Sequence, residues 1–310
     1  MIRWKAAMGA LAIIFSLSLP PFTYASADAS TRGSGLDRAG FNAIVEWNRE
    51  SLSRIVRWHR QFVNSIVYAK WDEGYNIYIS KPDGTDEKQL TNRYGEYAVE
   101  PRIHPMGMKV MYRIERDLYI VNILTGEEKL IPYQSDEVEN NASWTKDGKI
   151  LYDNGTDIFL MEEDGSNRVN LTDRYEGRAT HATLSPDGSK LAFENWGHVY
   201  VMDMNTKEVK QIYTGGRDPE FSPIGNRLVV TLDSYYEGAV ITMDADGQNV
   251  QKISVGNLIN LSDPTWSPDG KRIAFNAPYN VYTINSDGTN LQKITNQTSY
   301  VGNWSRAMIR

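Results

Sequence analysis

An apolar–aromatic or apolar pair returns along this chain at Ile77-Tyr78, Leu118-Tyr119, Ile158-Phe159, Val199-Tyr200, Val240-Ile241 and Val281-Tyr282, at intervals of 41, 40, 41, 41 and 41 residues. So regular a period restricts the chain to repeat architectures, in which each unit buries its faces against its neighbours. A second signal keeps step with it: His104-Pro105-Met106-Gly107, Thr145-Lys146-Asp147-Gly148, Ser185-Pro186-Asp187-Gly188, Ser222-Pro223-Ile224-Gly225 and Ser267-Pro268-Asp269-Gly270. Proline presets φ for the second position of a type I turn, and glycine suits the fourth. A large apolar residue precedes each turn (Ile103, Trp144, Leu184, Phe221, Trp266), and a short β-prone run such as Leu191-Ala192-Phe193 follows. Six or seven residues beyond the recurring pair comes another turn, Asp83-Gly84 or Asp287-Gly288 for example, and then a Leu-Thr or Ile-Thr step such as Leu90-Thr91. Each period therefore holds four short strands, named A to D in chain order. Four-stranded antiparallel units at this period are the blades of a β-propeller.

The two ends of the repeat complete one another. Ser65-Ile66-Val67-Tyr68-Ala69 reads as a B strand with no A strand before it, whereas Val301-Gly302-Asn303-Trp304-Ser305 reads as an A strand with no B strand after it. Pairing them predicts an all-β, six-bladed propeller closed by its C-terminal strand, spanning residues 65–310.

The preceding residues lack the repeat. Arg3 and Lys5, an apolar run from Ala6 to Leu19, and Ala25-Ser26-Ala27 fit a secretory signal peptide over 1–27. The apolar run is short for a membrane span, so no stable membrane insertion is expected, and the protein is expected to be periplasmic or secreted. Residues 28–64 read as a linker and an amphipathic helix from about 38 to 63, with Phe41, Ile44, Val45, Leu52, Ile55 and Val56 near helical spacing among Arg49, Arg54, Arg57 and Arg60. Two readings fit it: a segment docked on the propeller, or a basic arm for another protein or an anionic membrane surface. With no cysteine in the chain, neither a disulfide framework nor a cysteine nucleophile is available. Residues 1–64 carry eight basic and four acidic side chains, so the formal charge of −6 leaves −10 on the propeller. A nucleic-acid partner is unexpected on so acidic a surface.

The run Trp266-Ser267-Pro268-Asp269-Gly270-Lys271-Arg272-Ile273-Ala274-Phe275, followed by Val281-Tyr282, Asp287-Gly288-Thr289 and Ile294-Thr295, resembles the TolB-like (WD40-like) β-propeller repeat family. The resemblance covers about residues 65–305. TolB itself is a periplasmic component of the Tol-Pal envelope system, so the resemblance implies a protein partner in the cell envelope. TolB proteins also carry an N-terminal α/β domain that engages another Tol component. The 28–64 segment is too short to match it.

In a propeller the D-to-A and B-to-C loops share one face, and strand A starts there at the mouth of the central channel. Three residues before the A-strand anchors stand Glu100, Asn141, His181, Asp218, Asp263 and Val301, one from each blade. Trp71, Trp196, Tyr235 and Tyr236 fall in loops of the same face, as do Tyr75, Tyr94, Tyr97, Tyr175, Tyr279 and Tyr300. Such rings combine contact area with a polar handle and suit peptides, proteins or sugars. Glu100, Asp218 and Asp263 are candidate ligands for calcium in the channel. The acidic residues before Pro101, Pro219 and Pro264 serve equally well to order loops. Motifs of hydrolases, zinc proteases and phosphate-binding loops are absent from the sequence. The expected function is a non-catalytic, monomeric protein-binding platform without an obligate cofactor, with a carbohydrate-binding or carbohydrate-active propeller as the alternative.

Overall fold

A computed structural model of the protein describes residues 64–132, 140–232 and 238–304. The helix expected over 38–63, the signal peptide, Tyr235 and Tyr236 lie outside the described residues. Among the described residues every regular element is a strand, and 24 strands form six antiparallel sheets of four. The sheets follow the repeat: β4 (Ala98–Ile103), β5 (Lys109–Ile114), β6 (Asp117–Asn122) and β7 (Glu128–Leu130) make blade two, and the pattern recurs through β20 (Ser262–Trp266), β21 (Arg272–Ala277), β22 (Asn280–Asn285) and β23 (Gln292–Lys293). Blade one is composite. Its A strand is β24 (Ser299–Trp304), hydrogen-bonded to β1 (Ile66–Trp71), which continues through β2 (Tyr75–Ser80) to β3 (Lys88–Gln89). Tyr68 stands opposite Val301, and Ile66 opposite Trp304.

The repeating turn is built as its sequence implies. In Ser185-Pro186-Asp187-Gly188 the serine hydroxyl donates to Asp187 Oδ1 (2.7 Å) and accepts from the Lys190 N–H (2.9 Å), and Gly188 takes φ +72° to close the turn. At the outer edge the recurring threonine has a defined task. Thr91, Thr172 and Thr295 each accept an amide near the start of their own C strand, from Ile77, Ile158 and Val281, at 2.9–3.0 Å.

The core lies between successive blades. In five blades an aromatic residue of strand B stacks on its register partner in strand C: Tyr68 on Tyr78, Tyr112 on Tyr119, Tyr152 on Phe159, Phe193 on Tyr200 and Phe275 on Tyr282. Blade five places Val230 opposite Ile241 instead. Each stacked pair contributes about 0.5–1.5 kcal/mol beyond its buried area. The first strands of neighbouring blades touch all the way round, β24 against both β4 and β20 included. That seam is tight: a Cβ on Gly302 would stand 1.9 Å from the Pro101 carbonyl oxygen, so only glycine fits.

On the turn face His104 packs edge-on to Trp144 (4.6 Å), and its Nδ1 accepts the Met106 N–H (3.0 Å). Burial draws its pKa down from the ordinary 6.5 to about 4. The folded protein thus keeps this imidazole neutral where the unfolded chain protonates it, so the stability it confers is complete above pH 6.5 and is lost as pH falls towards 4. The expected difference is at most about 3 kcal/mol. Denaturant titrations from pH 4 to 7 should show a shallower acid limb for His104→Gln than for wild type; parallel limbs would contradict this.

Candidate site at the channel mouth

The first strands converge because each carries an irregularity at the same place. The A/B register shifts between Val99 and Arg102, Asn140 and Ser143, Thr180 and Thr183, Arg217 and Glu220, and Ser262 and Thr265. The bulge turns the strand and re-aims one side chain. At it Glu100, Asn141, His181, Asp218 and Asp263 all adopt left-handed backbone, φ 49–54°. Such a conformation is uncommon for residues other than glycine, asparagine and aspartate, and its recurrence at five positions marks the ring as a built feature. The sixth position, Val301, is not among the left-handed residues, as befits a β-branched side chain. A channel of about 570 Å³ is lined by first-strand residues of all six blades, among them Arg102, Asn141, His181, Asp218, Asp263 and Asn303.

A second ring stands behind the first, and the sequence reading missed it. Strand B carries a polar residue straight after its core side chain in five blades: Arg113, Asp153, Glu194, Thr231 and Asn276. Four of them hold the mouth residues in place. Arg113 makes a two-pronged ion pair with Glu100, Nε to Oε2 at 3.1 Å and Nη2 to Oε1. Asp153 Oδ2 accepts from Asn141 Nδ2 (2.8 Å) and from the His181 N–H of the next blade (3.0 Å). Glu194 Oε2 accepts the Asp218 N–H at 3.4 Å, and Asp218 Oδ2 the Asp263 N–H at 3.1 Å. Asn276 closes the series, donating to Asp263 Oδ2 (2.9 Å) and accepting the Val301 N–H (2.6 Å). From blade four round to the seam, each first strand therefore gives a backbone N–H to a side chain of the blade before it. The signal lay in the sequence as a polar break in apolar strand B runs, such as Tyr152-Asp153 and Phe193-Glu194.

The electrostatics divide the ring. Burial raises the Glu100 carboxyl, but the hydrogen bonds and charge of Arg113 outweigh it, and the net shift is downward. Glu100 is thereby committed to Arg113. Asp218 goes the other way: burial first, then the adjacent Asp263 charge, push it up to about 6, against the pull of His181. Asp153 is also raised by burial, partly countered by Asn141. Of the three carboxylates expected to share a cation, Glu100 is satisfied by its guanidinium, and Asp218 and Asp263 are neighbours.

The rings on this face are largely open to solvent. Trp71, Tyr75, Tyr97 and Tyr300 form one cluster with centroid separations of 5.2–5.8 Å. It lies where β1, β2, the loop before β4 and the start of β24 meet. Trp196 stands apart at 75 % exposure, with the Arg178 guanidinium 5.2 Å from its ring centre. Tyr175 is drawn inward instead, its hydroxyl accepting from Asn195 at 2.8 Å.

A family profile described as the TolB beta propeller domain matches residues 153–307. The Tol-Pal system protein TolB of Francisella tularensis subsp. holarctica (strain OSU18) is 26 % identical over 227 residues, which cover 69 % of this chain and 48 % of that protein. The tricorn protease of Thermoplasma acidophilum is 26 % identical over 230 residues, covering 62 % of this chain but 21 % of that protein. The chain thus spans less than half the length of either relative. The crystal structure of TolB from Acinetobacter baumannii superposes with a TM-score of 0.64 over 78 % of this chain and 67 % of that one, at 19 % identity, which speaks for the fold alone. With half the chain matched by the profile and six four-stranded blades in the structure, this chain belongs to the TolB beta propeller domain family.

Proposed function

We propose that this chain is a non-catalytic platform that binds a protein of the cell envelope, in the periplasm or outside the cell, through the mouth face of its propeller. The observation that carries the reading is the cluster of solvent-exposed Trp71, Tyr97 and Tyr300 around half-buried Tyr75 at the mouth face. Large rings that are already packed against one another give a partner contact area at little cost in side-chain entropy. The relatives named as Tol-Pal system proteins point to the envelope as the place to look for that partner.

Cross-linking mass spectrometry on an envelope fraction tests it. Cross-links to the partner are expected to cluster around Lys70 and the loop before β4, and Trp71→Ala with Tyr97→Ala should weaken capture at least tenfold, about 1.4 kcal/mol. Capture that survives the double substitution, or that requires only residues 28–63, would move the interface to the N-terminal segment. A second reading, carbohydrate binding, rests on the open face of Trp196; retention of no oligosaccharide on a glycan array removes it.

A further inference from the structure

We infer that His181, Glu194 and Asp218 form a binding site for a divalent transition ion of the zinc type, with a remaining coordination position open to the channel mouth. The three side chains come from β12 (Thr180–Leu184), β13 (Lys190–Asn195) and β16 (Gly216–Phe221), and one donor atom from each lies within 4.8 Å of the other two. His181 Nε2 stands 3.5 Å from Asp218 Oδ1, and His181 Nδ1 4.0 Å from Glu194 Oε2. Tetrahedral ligands bound at about 2.0–2.2 Å stand roughly 3.3–3.6 Å from one another. The two carboxylates face different ring nitrogens, so a rotation of the His181 ring is what brings a single nitrogen, Asp218 Oδ1 and Glu194 Oε2 onto one ion.

The donors are supported from behind, as metal ligands usually are. Glu194 is held by the Asp218 N–H and Asp218 Oδ2 by the Asp263 N–H, which leaves Asp218 Oδ1 facing the imidazole. The left-handed backbone at His181 and Asp218 fixes where both side chains start. An independent observation points the same way: His181 Nδ1 is buried and has no hydrogen-bond partner. All three residues line a cavity of about 480 Å³ at the mouth, together with Arg217, Asn260, Leu261, Ser262 and Asp263. Two carboxylates offset the charge of a divalent ion, and one imidazole nitrogen selects among such ions. Calcium takes six to eight oxygen ligands, whereas one nitrogen with two carboxylates suits zinc, cobalt or nickel. The open position accepts water or a donor group from a molecule entering the mouth.

The test uses the untagged chain, stripped with chelator and dialysed, titrated with zinc chloride by calorimetry and with cobalt(II) chloride by visible absorption. One ion per chain with micromolar or tighter affinity is expected, and a cobalt d–d band should be quenched by zinc but not by a large excess of calcium. His181→Ala and Glu194→Gln should each weaken binding at least about tenfold, while His198→Ala, at the start of the neighbouring strand β14 (His198–Asp203), leaves it unchanged. The His181 side chain is 37 % exposed, so its removal leaves the fold standing, and thermal unfolding in chelator verifies this for each variant. If Glu194→Gln unfolds, His181→Ala decides. No zinc heat and no cobalt band at millimolar metal, binding that survives His181→Ala, or displacement by equimolar calcium overturns the site.

Discussion

Removing residues 300–310 is expected to abolish the cooperative unfolding of the propeller, not merely to lower its midpoint. The deletion takes most of β24, and with it the hydrogen-bonded partner of β1 and a contact of both β4 and β20. Trp304, 3 % exposed and covered by the Arg272 guanidinium 4.9 Å from its ring centre, goes with it. Losing that ring alone, as in Trp304→Ala, costs about 3–5 kcal/mol. The truncation adds an open sheet edge along Ile66–Trp71 and releases two inter-blade bonds, Val301 N–H to Asn276 and Ile103 N–H to Asn303. Calorimetry should record a broad, low-enthalpy transition for the truncated chain and a sharp but lower one for Trp304→Ala. A truncated chain that melts like the full one would mean that the ring closes by some other contact.

Asp153→Ala should destabilise nearly as much, by about 3–5 kcal/mol, through the donors it leaves unanswered. Asp153 is 2 % exposed and accepts three hydrogen bonds, from Asn141 Nδ2, the His181 N–H and the Gly155 N–H (3.0 Å). Alanine leaves those donors buried and unanswered, and each unsatisfied group costs about 1–3 kcal/mol. Asparagine retains one acceptor oxygen and removes a charge that burial disfavours, so Asp153→Asn should lose no more than about 1–2 kcal/mol. Denaturant midpoints at pH 7 separate the two. Equal losses would mean that the charge itself, rather than acceptance of the His181 and Asn141 donors, holds blades three and four together.

The architecture was legible because its period is written in residue types that physics constrains. Proline and glycine mark the Ser185–Gly188 turn, aromatic pairs mark the B/C register, and the unmatched ends at Tyr68 and Trp304 announce the seam. The ring of Glu100, Asn141, His181, Asp218 and Asp263 was likewise found by counting back from the anchors. Its chemistry was not, because that depends on distances between blades. Nothing local to Glu100 says that Arg113 neutralises it, and nothing local to His181 says that Glu194 and Asp218 stand beside it. The clue was a polar residue where strand B should stay apolar, and its meaning follows only once the A/B bulge has fixed which first-strand side chain it faces.

The composite blade also sets a timetable. Blades two to six can each zip up from their own hairpins, but β1 stands at the start of the repeat and must wait for β24, at its end. Until Trp304 arrives, the Ile66–Trp71 edge is the one most open to a chaperone or to another unfolded chain. Closure is therefore the longest-range step of folding and the expected rate-limiting one. Conditions that slow it should divert the protein to aggregation through that edge before they touch the stability of the finished ring.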